Sequence, residues 1–413
     1  HNSKCVEYQE CHDINHNGRW DPGLDVILVE NDDESFRLIP DPLPYSRGGV
    51  WYRVIKNLAD AGAKVITINY HFDKPDHQTK NLVNYKATNK LDFPIIDGDD
   101  KLVEAIKYAE AKGTKVVLNA KIAHESTRFP PTYFNPAIDK YVDNENIQAG
   151  SGLGNIPTDL DGFNRSYWPF MTAPLDSIKH LTLALESVLR FKDIEHIAPV
   201  IDGTKLNFNI NSDSTVLSIN YYGDRSKGFL INMLGPPSSV FHSFNRFPLA
   251  NILDTEDYNL VSDQDYFDKE FGEMVYVEDQ NWMDKYIDPI MAPIFESQGF
   301  INPFKGKIVI IGTSLSEDQD FRMTSFSNYK GKEYQFSGVE YHANAIQHIL
   351  NGDYIHTPLG TLTYYVPYAK LHMLIIAGII IITLLLVTKA PPIWGFVIMT
   401  LEVLVWMSYA IGV

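Results

Sequence analysis

The stretch "GVWYRVIKNLADAGAKVITINY", residues 49 to 70, joins a helical pattern directly to a strand pattern. Apolar residues recur at helical spacing through residues 49 to 63, and Gly62 marks the end of the predicted helix. The following "KVITINY", residues 64 to 70, is rich in β-branched residues and predicts a strand. A helix that leads straight into such a strand is typical of α/β proteins with a parallel sheet.

The same pattern recurs along the chain. "DVILVE" (25 to 30) predicts a strand, and "DDKLVEAIKYAEAKG" (99 to 113) predicts a helix that leads into the strand "TKVVLNA" (114 to 120). Much later, "GKIVIIGTS" (306 to 314) predicts a strand and "GVEYHANAIQHILNG" (338 to 352) predicts a helix. We therefore expect an α/β fold with a mixed, mostly parallel sheet that is flanked by helices.

The region between these α/β segments has a different sequence pattern. "PLDSIKHLTLALESVLRF" (174 to 191) predicts a helix. "KLNFNI" (205 to 210), "VLSINYYG" (216 to 223) and "GFLINML" (228 to 234) alternate as antiparallel strands do. The acidic and aromatic segment from 251 to 305 predicts an irregular excursion or an extra helix.

Length and charge narrow the function. The chain has 413 residues, which predicts two or more domains, and its 45% apolar content argues against general disorder. Its net charge of −17 and the lack of a Lys/Arg cluster exclude a nucleic-acid partner.

The carboxyl-terminal part predicts a membrane anchor. "LHMLIIAGIIIITLLLVT" (371 to 388) has no charged residue and is bracketed by Lys370 and Lys389, which is typical of a membrane span. A second stretch, 393 to 413, is long enough to cross again but contains Glu402. We predict two transmembrane helices within residues 365–413; the alternative is a pair of buried helices in a soluble core.

The charge of the connector between the spans and the two cysteines predict that most of the chain lies outside the cytoplasm. Lys389 lies in the short connector between the spans, and basic short loops favour the cytoplasmic side, so residues 1–364 are expected to be extracytoplasmic. Cys5 and Cys11 are the only two cysteines, and in an oxidising compartment they predict a disulfide; two unpaired thiols are the alternative. No signal peptide is visible, so we expect that an earlier anchor precedes this sequence.

The segment 1–25 also contains a candidate calcium loop. In "CHDINHNGRWDPGLD", residues 11 to 25, oxygen side chains alternate and Gly18 follows at the sixth position, as in the first half of an EF-hand loop. Leu24 stands at the twelfth position, where such loops carry a bidentate Glu. The alternative is a turn whose side chains bond their own backbone. The candidate calcium ligands are Asp13, Asn15, Asn17, Arg19 (through its carbonyl), Asp21 and Asp25.

Four stretches resemble the second type of CHASE domain, a sensory extracellular module associated with bacterial cyclases and histidine kinases. They are "PLPYSRGGVWYRVIKNLADAGAKVITINYHFDKPD", "DLDGFNRSYWP", "FKGKIVIIGTSLSEDQDFRMTSF" and "GVEYHANAIQHILNGDYI". Asn69 stands where that family often has an acidic residue. The positions that match the family motifs are Arg47, Asp161, Gly162, Arg165, Asp320, Thr324, Glu340, His342 and Asn344.

The resemblance implies a sensor domain over residues 26–364 and a membrane bundle after it. The family commonly has three helices followed by a cytoplasmic cyclase, kinase or phosphatase module, whereas two spans are present here. A third span and an output module would therefore lie beyond residue 413, or the protein has no output inside the cell.

The sequence contains no set of residues in a known catalytic pattern. The sequence contains no G-x-S-x-G or H-E-x-x-H motif, and "VIIGTS" lacks the remainder of a phosphate-binding loop. Glu340 and His342 are two residues apart on a predicted helix and do not face one another. We expect Asp320, Arg165, Thr324 and Glu340 to serve together as struts near the carboxyl ends of the strands, or to form a polar ligand pocket there. The aromatic runs "YWPF" and "NYHF" either line that pocket or pack in the core.

These observations predict a membrane-anchored extracytoplasmic sensor that binds an unknown small-molecule or protein ligand, signals through its stem, and forms a homo-oligomer. The alternative is a calcium-stabilised surface protein that assembles with copies of itself and has no cytoplasmic output.

Overall fold

The chain divides into two compact units, residues 1–197 with 231–353 and residues 198–230 with 354–413. The structure is a computed structural model. It describes residues 24–124, 131–134, 150–159, 161–174, 179–194, 200–202, 205–211, 214–220, 228–260, 266–268, 273–275, 281–297, 301–318, 320–352 and 354–355, with single positions between 377 and 400.

Strands and helices alternate as the sequence predicts. The described strands are β1 (Val26–Asn31), β2 (Val65–Ile68), β3 (Lys115–Ala123), β4 (Thr132–Phe134), β5 (Gly150–Leu153), β6 (Ser166–Tyr167), β7 (Phe170–Thr172), β8 (Lys179–Leu181), β9 (Val200–Asp202), β10 (Lys205–Asn211), β11 (Ser214–Asn220), β12 (Phe229–Leu230), β13 (Arg246–Pro248), β14 (Tyr266–Asp268), β15 (Glu273–Val275), β16 (Ile308–Thr313), β17 (Phe321–Arg322), β18 (Asn328–Tyr329), β19 (Lys332–Glu333) and β20 (Phe336–Ser337). The described helices are α1 (Asp33–Leu38), α2 (Tyr52–Asp60), α3 (His77–Asn89), α4 (Gly98–Ala111), α5 (Leu183–Phe191), α6 (Ser238–Phe241), α7 (Leu249–Leu253), α8 (Asp284–Ile287), α9 (Met291–Ser297) and α10 (Gly338–Asn351), together with a π-helical turn (Arg47–Trp51) and a 3₁₀ turn (Ser316–Asp318).

A seven-stranded sheet organises the first unit. Its order is β13-β1-β16-β2-β3-β4, and β5 also pairs with β3. All of these pairings are parallel except that of β4, which runs antiparallel to β3. The expected mixed, mostly parallel sheet is therefore confirmed.

Helices cover both faces of this sheet. Helices α2 and α4 pack on one face, and α5 and α10 contact the strands from the other. All six residues of β1 and all six of β16 are consequently buried. This double burial explains why the predicted strands read as continuous apolar runs rather than as alternating ones.

Helix α10 is the most deeply buried helix near the candidate site. Its side chains are buried from Gly338 through Ile349. A Cβ on Gly312 of β16 would come within 2.5 Å of the Val339 Cβ, so this glycine allows the helix to lie close to the sheet. At its other end, the Gln347 Oε1 accepts a hydrogen bond of 2.9 Å from the backbone N–H of Asp25.

Two secondary-structure predictions are corrected. The helix predicted over 174 to 191 begins only at Leu183, and residues 179–181 form β8 instead, antiparallel to β7. The break falls at Thr182, because its N–H and its hydroxyl both donate to the Pro169 carbonyl, each at 3.1 Å. The strand predicted over 228 to 234 ends at Leu230. The Ile231 N–H still donates to the Arg165 carbonyl at 2.9 Å, but the N–H groups of Asn232 and Leu234 donate to side chains of α10.

Two other predictions are confirmed. Strands β10 and β11 of the second unit form an antiparallel hairpin in which Phe208 lies opposite Leu217. The segment from 251 to 305 contributes the short helices α8 and α9.

Among the described residues, no helix combines the length and the apolar character that a membrane crossing requires. The two predicted spans, 371–388 and 393–413, lie almost entirely outside those residues. The predicted disulfide between Cys5 and Cys11 lies outside them too, as do all the candidate calcium ligands except Asp25. The Asp25 carboxylate lies 3.4 Å from the Lys307 Nζ.

Candidate functional site

A cavity of about 580 Å³ opens at the carboxyl edge of the parallel sheet. Glu30 at the end of β1, Ser314 just after β16, and Ser337 before α10 all line it. Open α/β sheets form their ligand crevices at this edge, because the loops that leave neighbouring strands part there. We call this space the edge cavity.

The edge cavity is strongly acidic. Five carboxylates line it and a single guanidinium, that of Arg246, opposes them. In a partly enclosed space of low dielectric, this imbalance favours a cation or a hydrogen-bond donor over an anion. The carboxylates are Glu30, Asp32, Asp33, Glu333 and Glu340.

Arg246 neutralises part of this charge. Strand β13 runs beside β1 with Arg246 opposite Leu28, so the guanidinium reaches the carboxyl end of β1. Its Nε binds the Glu30 carboxylate, and its Nη2 lies 3.3 Å from the Asp32 Oδ2. Burial disfavours the charge on Arg246, but the attraction of Glu30 outweighs it and raises the pKa of the guanidinium. Arg246 therefore stays ionised and holds Glu30 and Asp32 in position.

Glu340 is the unusual carboxyl group of the cavity. It lies in the first turn of α10, is only 3% exposed, and accepts hydrogen bonds at Oε1 from the Ser238 backbone N–H (2.7 Å) and hydroxyl (2.6 Å). Burial, reinforced by the charge of Glu30, raises the pKa of Glu340 to about 7. Glu340 therefore changes its charge near neutral pH, at the start of a helix that packs against the central strands.

Ser238 is held in turn by its own loop. The Ser238 hydroxyl accepts a hydrogen bond of 3.1 Å from the Phe244 N–H, and the Ser243 hydroxyl donates to the Pro236 carbonyl at 2.6 Å. The Ser337 hydroxyl donates to the Glu30 Oε1 at 3.0 Å and caps α10 by accepting from the Glu340 N–H. Changes at Glu340 therefore act on both the cavity loop and the cap of α10.

His342 and Asn344 have structural positions on α10. His342 is completely buried, and its Nδ1 lies 2.8 Å from the Tyr167 hydroxyl. Burial, with a smaller contribution from Arg322, lowers the pKa of His342 to about 3, so the ring is neutral. Asn344 accepts from the Leu234 N–H at 3.0 Å. Both residues fasten the helix, and neither lines the edge cavity.

Asp320 and Thr324 hold the segment that precedes α10. The Asp320 carboxylate pairs with Arg322 at 2.6 Å, and its backbone carbonyl accepts from the Gly338 N–H at 2.7 Å. The Thr324 N–H donates to the Ser327 hydroxyl at 2.8 Å. The Asp320 carboxylate occupies the space that a Cβ on Gly338 would need.

Arg165 and Asp161 form an exposed pair. The Arg165 Nη2 lies 2.7 Å from the Asp161 Oδ2, and its Nη1 lies 2.9 Å from the Asp159 Oδ2. The bond from Arg165 lowers the pKa of Asp161 to about 2. Gly162 turns the chain between them with a positive φ of 87°. The Asp-Gly-x-x-Arg element is thus an exposed turn in which the arginine pairs with aspartates close to it in the sequence.

The expected joint cluster of Asp320, Arg165, Thr324 and Glu340 is corrected accordingly. In the described part of the chain, the hydrogen bonds and ion pairs of these side chains go to other residues and not to one another. Arg165, Asp320 and Thr324 are local struts, because partners at most six residues away satisfy them. Glu340 instead bonds Ser238, which is 102 residues away. Of the four, only Glu340 lines the edge cavity.

Arg47 is a buried strut that does not line the edge cavity. Its guanidinium forms an ion pair with Asp99 and donates to the Lys74 carbonyl, and its N–H donates to the Asp76 Oδ1 at 3.2 Å. Asn69, at the position where the family often has an acid, accepts from the Asn119 Nδ2 at 2.7 Å.

Sequence reasoning missed Glu30, Ser238 and Arg246. Glu30 could have been found, because it ends the apolar run "DVILVE" and so falls at the carboxyl edge of a predicted strand. Ser238 and Arg246 lie in a segment without periodic pattern. The role of Arg246 depends on β13 joining the sheet beside β1, and that of Ser238 depends on its loop meeting α10. No local signal indicates either contact.

The groups that line the edge cavity could bind a polar ligand, and one of them can exchange a proton. Among the described residues, no group of three or more His, Cys, Asp and Glu side chains could hold a metal ion. Glu340 offers an ionisable oxygen, and four serines (Ser239, Ser314, Ser316 and Ser337) offer hydroxyls around it. This arrangement suits the recognition of a polar or positively charged group.

A doubly covered parallel sheet with a polar crevice at its carboxyl edge defines an α/β ligand-binding module. The model of the CHASE2 domain matches residues 13–388, and the chain belongs to the CHASE2 domain family. The family is a sensory extracellular one and is not catalytic, so this chain is a sensory domain and not an enzyme. The comparisons with curated proteins and with solved structures found no match.

Proposed function

We propose that this chain is the membrane-anchored, extracytoplasmic part of a bacterial receptor and that its signal is received in the edge cavity. A polar or cationic ligand, or a change in proton occupancy, would alter the charge at Glu340. Helix α10 would pass the change along the chain toward residues 354–413.

One observation carries the proposal: the buried carboxyl of Glu340 belongs both to the cavity wall and to the first turn of α10. A ligand shifts a two-state equilibrium only through a difference in affinity between the two states. Burial and Glu30 disfavour the charge of Glu340 in this arrangement, so a cationic ligand that stabilised the charge would provide such a difference.

The coupling element is helix α10. Its polar side chains grip neighbouring backbone: the Asn344 Oδ1 accepts from Leu234, the His348 Nδ1 accepts from the Asn232 N–H at 3.1 Å, and the Tyr341 hydroxyl donates to the Ser166 carbonyl at 3.0 Å. A rigidly held helix moves as one body, so a shift at its first turn reaches its last turn.

The anchor, the calcium loop and the assembly belong to the same proposal. Residues 371–388 and 393–413 would be the two spans, with residues 1–364 outside the cytoplasm. Calcium would bind through Asp13, Asn15, Asn17, Arg19, Asp21 and Asp25, and the Cys5–Cys11 disulfide would close the loop before it. Two copies of the receptor would pair through their stems.

Cell fractionation tests the anchor. We expect the full chain, expressed in a bacterial host, to remain with membranes after alkaline carbonate extraction. Protease added outside the inner membrane should degrade residues 1–364. If the chain is released by carbonate, or if the protease reaches the domain only after the inner membrane is lysed, the anchored extracytoplasmic receptor is refuted.

Hydrogen exchange tests the coupling. We expect Glu340→Gln in the full chain to change amide exchange in α10 and in residues 354–413, because the substitution fixes the charge that the signal would alter. Glu333→Gln is the matched control, since Glu333 lines the same cavity but is exposed. If the exchange of residues 338–413 is the same in the wild type and in both variants, the helix is a passive support.

A further inference from the structure

A second cavity, of about 740 Å³, lies on the same edge of the sheet but around the end of β2. Its walls are aromatic: Tyr45, Trp51, Tyr70 and Phe72 line it. A volume of several hundred Å³ and a mainly apolar wall with a few polar groups are typical of small-molecule sites. We call it the aromatic cavity. It shares no lining residue with the edge cavity.

The aromatic walls are held in fixed positions. The ring of Trp51 lies 4.8 Å from that of Tyr70 and 5.5 Å from that of Phe72, centroid to centroid. The Arg47 guanidinium lies 5.0 Å from the Phe72 ring centroid while it is ion-paired with the buried Asp99. Because Asp99 neutralises the Arg47 guanidinium, Arg47 supports the cavity wall and is not available to a ligand.

A tyrosine hydroxyl that lines this cavity lacks an acceptor among the described residues. In the described part of the chain, neither the buried Tyr70 hydroxyl nor the buried Asn31 Nδ2 has a hydrogen-bond partner. The Asn31 Oδ1 accepts from the Tyr45 hydroxyl at 2.9 Å, and the Asn31 side chain lies near the Tyr70 hydroxyl. Burial raises the pKa of Tyr70 above its usual value, so its hydroxyl remains a donor. Buried donors of this kind are rare and point to a missing acceptor atom.

Two lysines line this cavity without a carboxylate partner in the described part of the chain. Lys74 and Lys80 line the cavity and are exposed, and neither forms an ion pair within the described residues. Three carboxylates line the cavity as well, and each is held in place by residues of the protein. Asp73 pairs with Lys121 at 2.8 Å, Asp76 accepts from the Thr79 N–H and hydroxyl, and Asp318 accepts from the Thr313 hydroxyl.

We propose that the aromatic cavity binds an aromatic carboxylate that carries a hydrogen-bond acceptor on its ring. The ring packs against Trp51 and Phe72, the acceptor oxygen takes the hydrogen bond of the Tyr70 hydroxyl, and the carboxylate lies between the ammonium groups of Lys74 and Lys80. This inference goes beyond the proposed function and does not depend on it.

Calorimetric titration of the full chain with 6-hydroxy-2-naphthoate tests the proposal. Two analogues isolate the contacts: 6-hydroxy-2-naphthamide lacks the charge, and 2-naphthoate lacks the hydroxyl. We expect the hydroxynaphthoate to bind most tightly, about tenfold more tightly than 2-naphthoate, because the lost hydrogen bond leaves the Tyr70 hydroxyl unsatisfied again.

Variants assign the contacts to residues. We expect the combined Lys74→Gln and Lys80→Gln variant to weaken hydroxynaphthoate binding roughly fivefold, as the loss of exposed charge pairs does, and to leave the amide unchanged. We expect Tyr70→Phe to remove the preference for the hydroxynaphthoate over 2-naphthoate. Lys107→Gln, an exposed lysine on α4 outside the cavity, is the control and should bind like the wild type.

Each readout compares two ligands on one variant, so a general loss of folding cannot imitate the result. The proposal is overturned if the hydroxynaphthoate does not bind at millimolar concentration. It is equally overturned if the lysine variant weakens the acid and the amide alike, or if Tyr70→Phe leaves the preference intact.

Discussion

Replacing Glu340 by Gln should make the stability of the domain less dependent on pH. The carboxyl has an ordinary pKa of 4.5 and a pKa of about 7 in the fold, where burial and Glu30 oppose its charge. A glutamine has nearly the same shape and can still accept the two hydrogen bonds from Ser238 through its Oε1. The substitution therefore removes the titration and keeps the packing.

The direction in which pH changes the stability follows from proton linkage. Because the folded pKa is raised, the folded state holds the proton more tightly than the unfolded state. The contribution of Glu340 to the stability of the wild type is therefore fully present below pH 4.5 and is lost as the pH rises from 4.5 to about 7. A pKa shift of this size corresponds to about 3 kcal/mol in the free energy of unfolding. The glutamine variant should gain this amount relative to the wild type between pH 4.5 and pH 8.

Denaturant unfolding of both proteins, followed by tryptophan fluorescence at pH 4.5, 6 and 8, measures this difference. Comparison at the same pH cancels the titration of the other groups. Glu333→Gln serves as the control, because its exposed side chain makes little contribution to stability. A difference between wild type and Glu340→Gln that stays constant from pH 4.5 to 8 would refute the reasoning. A difference of the opposite sign would show that the ionised carboxylate is stabilised in the fold.

Three further predictions concern the residues around the two cavities. Gly338→Ala should destabilise the domain by about 1–3 kcal/mol, because the new methyl group overlaps the Asp320 carboxylate; a melting temperature equal to that of the wild type would contradict this. Arg47→Met should cost about 3–5 kcal/mol in the free energy of unfolding, since it removes the cation from the buried Asp99, and adding Asp99→Asn should restore part of the loss. Arg165→Ala should leave the melting temperature unchanged, because its ion pairs are exposed, but should return the pKa of Asp161 from about 2 toward its usual range in a carboxyl NMR titration. An Asp161 pKa that stays near 2 would assign the shift to another group.

The sheet was predictable because its signal is local. Strands β1, β2, β3 and β16 are short apolar runs, and three of the helices beside them are marked by helical periodicity and a terminal glycine. The family resemblance marked Glu340, which is the one predicted strut that lines the edge cavity.

The remainder of the site depends on contacts between distant segments. The helix predicted over 174 to 191 was shortened because the Pro169 carbonyl takes both donors of Thr182, a pairing that periodicity does not reveal. Arg246 reaches Glu30 only because β13 joins the sheet edge. Aromatic residues in "NYHF" indicated packing as readily as a pocket, and only the fold distinguishes the two for Tyr70 and Phe72.

The hydrogen bond from the Asp25 N–H to Gln347 joins the two ends of the described domain. Asp25 is the residue through which the amino-terminal segment enters the first strand, and Gln347 lies in the final turns of the helix that leads toward the carboxyl-terminal residues. Fraying of the first strand from its amino end therefore has to break a bond to this helix.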